Sequence, residues 1–134
     1  MNFFKTLMPL FILILVCTIG SCSTTKGDNQ LILPEIINPT YKSYSTQQDR
    51  GYVVSFEYQD TGISPTEIVL FGIRQSIPSS AIHGNKVNVN MIHQTSTIQN
   101  HVIQGSDLPN GIMFEKEGMK YLKEVNFKSK TTLK

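Results

Sequence analysis

The chain has 134 residues, with 12 lysines and arginines against 10 aspartates and glutamates, a formal net charge of +2. That near balance argues against a nucleic-acid binder, which would show a basic stripe, so no nucleic acid is expected as a partner. The length allows one modest domain with a real core. The two cysteines are Cys17 and Cys22, both inside or just after an apolar N-terminal stretch, so the rest of the chain can form no disulfide and is expected to owe its stability to packing.

The N-terminal stretch, Met1 to Cys22, comes first. Lys5 supplies a positive charge, Leu7 to Ile19 is apolar except for Pro9 and Thr18, and Gly20 and Ser21 are small. A basic start, a short apolar run and small residues describe a secretory signal. The run is well short of the about 20 residues that cross a bilayer as a helix. Ile19-Gly20-Ser21-Cys22 resembles the bacterial lipoprotein signal, in which a large apolar residue and two small ones precede a cysteine. The resemblance implies that residues 1–21 are removed and that Cys22 is acylated with a diacylglyceryl thioether. Cys22 then becomes the first mature residue, holding the protein to a membrane in the cell envelope (the outer membrane in a diderm), facing the periplasm or the cell surface. Cys17 is the poorer candidate, because bulky Val16 precedes it within the apolar run.

Residues 22–30 follow as the lipidated cysteine and a polar tether. At up to about 3.5 Å per residue, the tether can hold a domain roughly 30 Å from the membrane. Lys26-Gly27-Asp28 is similar to the charged tags that send some Bacteroidota lipoproteins to the cell surface.

Residues 31–128 read as an all-β domain, an antiparallel β-sandwich of Ig-like architecture or a small barrel, with about seven strands. Leu31 to Ile37 predicts a first strand, with Pro34 suited to an edge and Asn38-Pro39 as a turn. Tyr41 to Gln48 fits a short strand or a loop. Gly51 to Gln59 alternates strictly, with Tyr52, Val54, Phe56 and Tyr58 on the packed side. Asp60-Thr61-Gly62 reads as a turn. Glu67 to Gln75 reads as one central strand, apolar on both sides, which puts Phe71 beside Val69 and Ile73 in the core; Gly72 marks a bulge or a close approach.

Ile77 to Ser80 breaks the chain, and Gly84-Asn85 turns it. Lys86 to Gln94 alternates again, with Val87, Val89, Met91 and His93 inward. Thr95-Ser96 suggests a tight hairpin to a strand over Thr97 to Gln104. Ser106 to Gly111 is loop-forming. Ile112-Met113-Phe114 begins a strand, and Glu115 to Gly118 turns it into a last strand, Met119 to Lys128, packed through Met119, Tyr121, Val125 and Phe127. Lys123 on that packed side predicts a sheet edge or a bulge. Residues 129–134 form a polar, basic tail.

No chemistry-bearing motif stands out. The mature chain lacks a nucleophilic cysteine, a Gly-x-Ser-x-Gly elbow, a phosphate loop, a dinucleotide fingerprint and a His-Glu-x-x-His pair. No cofactor and no catalytic residues are expected. The three histidines do not converge on the expected hairpin: His93 faces Ile98, His101 faces Asn90, and His83 lies in an irregular segment. No metal site is expected. Glu57 and Glu67 can face each other across paired strands, although nothing in their spacing forces it. Tyr41, Tyr44 and Tyr58 can form an aromatic platform for a sugar or a peptide.

The expectation is a lipid-anchored, exported accessory domain, not an enzyme, that binds an envelope protein or a surface polymer. Tethering makes weak binding effectively intramolecular. A small carbohydrate- or peptide-binding lipoprotein is the second reading, and an enzyme with an unrecognised site the third.

Overall fold

The computed structural model describes residues 31–96, 98 and 102–131. The lipoprotein-like signal, Cys22, the tether, His101 and the last three residues lie outside them. Contacts divide the chain into Met1–Leu31 and Ile32–Lys134, and the fold is that of the second unit.

Among the described residues, ten strands form two five-stranded sheets packed as a sandwich, with no closed barrel. The first sheet has the order β10-β1-β2-β6-β5, from Lys128–Ser129, Ile36–Ser45, Asp49–Tyr58, Lys86–Thr95 and Ile82–His83. The second has the order β7-β4-β3-β8-β9, from Gln104–Gly105, Ile73–Ser76, Pro65–Leu70, Gly111–Lys116 and Met119–Glu124. Seven strands have four or more residues, and three are two-residue pieces at sheet edges. All pairings are antiparallel except that of β10 with β1. A 3₁₀ turn, Ser79–Ala81, leads into β5.

Alternation builds the interior. Val54, Phe56 and Tyr58 of β2 and Val87, Val89 and Met91 of β6 meet Ile68 and Leu70 of β3, Ile73 of β4, and Ile112 and Phe114 of β8. Phe56 is only 3 % exposed, as its place in the alternating strand predicts. The chain crosses between the sheets after each of the hairpins β1–β2, β3–β4, β5–β6 and β8–β9.

The open edge of β6 is closed from the other sheet. The Gln75 side chain donates Nε2–H to the Asn90 carbonyl at 2.9 Å, and its Oε1 accepts from the Ile92 N–H at 3.3 Å. One side-chain amide thereby satisfies two backbone groups that a short partner strand leaves bare.

Several local expectations are corrected. Strand β1 begins at Ile36, not Leu31, and Asn38-Pro39 is a bulge inside it, with Asn38 at φ +50°. Glu67 to Gln75 is a hairpin, not one strand. Phe71 and Gly72 both have positive φ (+49° and +75°), the geometry of a two-residue hairpin turn whose twist matches its flanking strands. A pattern apolar on both sides hides such a turn, because β3 really is central and buried on both faces.

Residues 97 and 99–101 of the expected hairpin partner of Lys86–Gln94 lie outside the described residues. Gln94 pairs with Arg50 of β2, and Gln104, expected to end that partner strand, belongs to β7 in the other sheet. The bulge opposite Arg50 and Gly51 leaves His93 out of register, so it is exposed where the alternation predicts a packed ring.

The last expected strand ends at Glu124, and Lys128 belongs to β10 in the first sheet. Met119 is exposed rather than packed. Strand β9 does lie at a sheet edge, as Lys123 predicts. Lys123 pairs with Ile112, on the inward side, and its Nζ donates to the Pro34 carbonyl at 2.8 Å, which supplies a partner for an otherwise costly amine.

Candidate functional site

The outer face of the first sheet carries the candidate site. Register aligns its rows across the strands: Lys42 with Val53 and Asn90, Thr40 with Ser55 and Asn88. These residues alternate with the inward Tyr41, Val54 and Val89 and therefore point away from the core. Thr40 also pairs with Lys128, so the returning β10 adds Lys128 to this face.

A cavity of about 380 Å³ opens here, lined by Thr40, Ser55, Glu57, Lys86, Asn88 and Lys130 among others. His83 joins the rim from β5. The volume is within the range of small-ligand sites, which start at about 300 Å³. Glu57 Oε1 and Lys86 Nζ are 3.5 Å apart and both are well exposed, so the pair is screened and can re-form with a ligand. Thr40 Oγ1 donates to the Ser55 carbonyl at 3.3 Å and ties β1 to β2 beneath the cavity.

Higher on the same face lies Tyr44, which pairs with Gly51. A side chain at position 51 would come within 2.8 Å of the Tyr44 hydroxyl and 3.0 Å of its Cε1, and would run into the Met91 carbonyl. Glycine is needed there by close approach, and it lets the ring reach across the strand. Tyr44 is partly exposed.

The other two tyrosines of the expected platform lie elsewhere. Tyr58 is buried, its hydroxyl donating to the Gly84 carbonyl at 3.3 Å. Tyr41 points inward and meets Tyr52 and Phe71, with ring centroids 6.1 and 5.1 Å away. Phe71 reaches this cluster from the β3–β4 turn, 5.4 Å from Tyr52. Its N–H donates to Asn110 Oδ1 at 2.8 Å. A non-glycine residue at positive φ is strained by about 1–2 kcal/mol. The aromatic contacts and this hydrogen bond hold it there, and the ring closes one end of the sandwich while staying 49 % exposed.

Glu57 and Glu67 are not brought together, because they sit on different sheets. Among the described residues Glu67 is the buried charge. It accepts from Arg74 Nε through Oε2 and from Lys120 Nζ through Oε1, the latter at 2.7 Å. The hydrogen bond from Arg74, aided by that from Lys120, holds the carboxyl below its ordinary value of 4.5 against the opposing effect of burial. Glu67 in turn raises Arg74. With both carboxylate oxygens bonded, this group is structural.

Among the described residues no three histidine, cysteine or acidic side chains gather in a way that could hold a metal ion. Lys128 and Lys130 are the site residues that the sequence hides most: they read as a tail, and only the parallel return of β10 lays them beside Thr40. The search of protein families, curated proteins and solved structures returns no match to the chain.

Proposed function

We propose that this protein is a lipid-anchored, exported accessory module that binds a component of the cell envelope and does not catalyse a reaction. Cys22 supplies the anchor, following the lipoprotein-like Ile19-Gly20-Ser21-Cys22 sequence. The sandwich supplies the binding face. The observation that carries the reading is the cavity on the outer face of the first sheet, where hydroxyl, amide and charged side chains on paired strands stand around a largely apolar lining. Sites on sheet strands hold their side chains at fixed spacing, and little ordering is then required on binding. A membrane tether raises the local concentration of neighbours and makes modest affinity sufficient.

Two measurements test this reading. Cys22→Ser should abolish both incorporation of labelled fatty acid and pelleting with membranes, while Cys17→Ser leaves both intact; survival of both in Cys22→Ser removes the anchor. A photo-cross-linker at Asn88, in the cavity, should capture envelope material in cells, and one at Glu115, on the other sheet, should not. Equal capture from both positions removes the assigned face.

A further inference from the structure

Resting on the binding face just described, we infer that its ligand is an acidic polysaccharide. Three features of the face select that chemistry together. The first is charge. Lys42, Lys86, Lys128 and Lys130 lie on it against the carboxylates of Glu57 and, at the far end of β2, Asp49. Only Lys86 is paired there, with Glu57, and Lys42, Lys128 and Lys130 form no ion pair with a described residue. In a chain whose total charge is only +2, this concentrates the cationic excess on one surface. Such a surface attracts anions and raises their local concentration.

The second feature is the floor between the lysines. Ser55, Asn88 and Asn90 offer hydroxyl and amide groups that both donate and accept, and Thr40, whose O–H goes to the Ser55 carbonyl, still accepts. A sugar hydroxyl also donates and accepts, so it can be matched on either side. A phosphate polymer or a simple anion has no use for this mixed set. The third feature is Tyr44, whose ring lies across Gly51 about 13 Å from Thr40, at four residues along the strand. Its apolar body and polar tip suit the C–H face and the hydroxyl edge of a pyranose. That separation exceeds one sugar ring, so the matching ligand is a polymer. A nucleic-acid strand would want several stacking rings for successive bases, and on this face the described residues offer Tyr44 alone.

The test is binding of the full chain, in detergent at low salt, to four polymers. Dextran sulfate and dextran share a backbone and differ in charge; polygalacturonate carries carboxylates in place of sulfates; polyphosphate carries charge without sugar. Expected is at least tenfold tighter binding to polygalacturonate or to dextran sulfate than to dextran, which also separates a carboxylate from a sulfate ligand. Binding should weaken with salt, because the lysines are exposed. Lys128→Glu combined with Lys130→Glu should weaken it at least tenfold, and Tyr44→Ala at least threefold. Lys116→Glu, a single reversal of the same kind on the other sheet, should not alter it, whereas Lys128→Glu alone should weaken binding at least threefold. Lys128→Gln with Lys130→Gln serves where the reversal impairs folding, judged by the melting curve, and should weaken binding at least threefold.

Equal binding of dextran overturns the inference, as does equal or tighter binding of polyphosphate or insensitivity to the Lys128 and Lys130 changes. If all four polymers fail while the cross-linker at Asn88 still captures envelope material, the ligand class is wrong and the binding face stands. If the cross-linker fails too, both fall.

Discussion

The two sheets turn opposite characters outward. On the second sheet the central strand β3 presents Glu67, clamped by Arg74 from β4 and Lys120 from β9. Val69 and Met113, on the same side as Glu67 by alternation and register, are buried. On the first sheet the central strand β2 presents Ser55 and Glu57, flanked by hydroxyls, amides and lysines in the open. The same residue types therefore serve two ends. Where a carboxylate is desolvated and both its oxygens are bonded, charge is consumed in holding strands together. Where charge sits at 3.5 Å from an exposed partner or has no described partner, it remains available to a ligand.

Substitutions can break that contrast, and the interior both faces share sets the scale. Phe56 lies on the inner side of the same strand that carries Ser55 and Glu57. Phe56→Ala should cost about 3–5 kcal/mol, read as a lowered urea midpoint at unchanged slope. A loss below about 1 kcal/mol would mean that inner and outer faces of β2 are exchanged.

Next in size is the clamp. Glu67→Ala removes two charge-assisted bonds and should cost about 2–3 kcal/mol, less than a fully buried triad because Arg74 and Lys120 can regain water. The clamp also fixes an acid limb. Because the Glu67 carboxyl in the folded protein is held below 4.5, its contribution is fully present above that value and is lost as pH falls through the lower folded value. The wild-type melting temperature should therefore drop on acidification below about pH 4.5. Glu67→Gln should start lower and lose less, so that the two curves converge in acid. Parallel curves would show that Glu67 is not the group in control.

How far these faces could be read beforehand follows from what each pattern depends on. The all-β class and strands β2 and β6 were legible because alternation in Tyr52 to Tyr58 and Lys86 to Met91 is local, with a period of two. Lys123 announced an edge because an inward amine needs an escape or a partner, and the structure supplies the Pro34 carbonyl. Phe71 was misread because an apolar run cannot say where it folds back, and the turn is fixed by Gly72 and by Asn110, 39 residues downstream of Phe71. His93 left the packed face through a bulge that depends on the partner strand. The site itself was least legible. Tyr44 was visible as a ring, but its companions Lys128 and Lys130 reach it only through a parallel pairing far along the chain.

Phe71 also offers a measure between the two extremes. It joins the sheets at the rim and not through either outer face. Phe71→Ala loses two edge or tilted ring contacts but keeps the strained turn, for a cost of about 1–2 kcal/mol. A cost equal to that of Phe56→Ala would mean that the ring is a core residue after all. Phe71→Gly relieves the positive φ as well and should recover part of the loss.

The smallest effect is expected at Glu57, and it sharpens the contrast most. Glu57 and Glu67 are both glutamates in middle strands, each near a lysine. At Glu57 the partner is exposed and 3.5 Å away, so solvent replaces the interaction at little cost. Such a pair contributes about 0–1 kcal/mol, with the side-chain ordering it requires set against the attraction. Glu57→Gln keeps the shape and removes the charge, so the urea midpoint should move by less than about 0.5 kcal/mol equivalent. The same change deletes the carboxylate beside the cavity and frees Lys86. It should therefore leave stability alone while tightening binding to dextran sulfate or polygalacturonate at low salt. A loss of stability comparable to that of Glu67→Ala would show that the outer charges of the first sheet hold the fold as those of the second do. The distinction between a structural face and a binding face would then disappear.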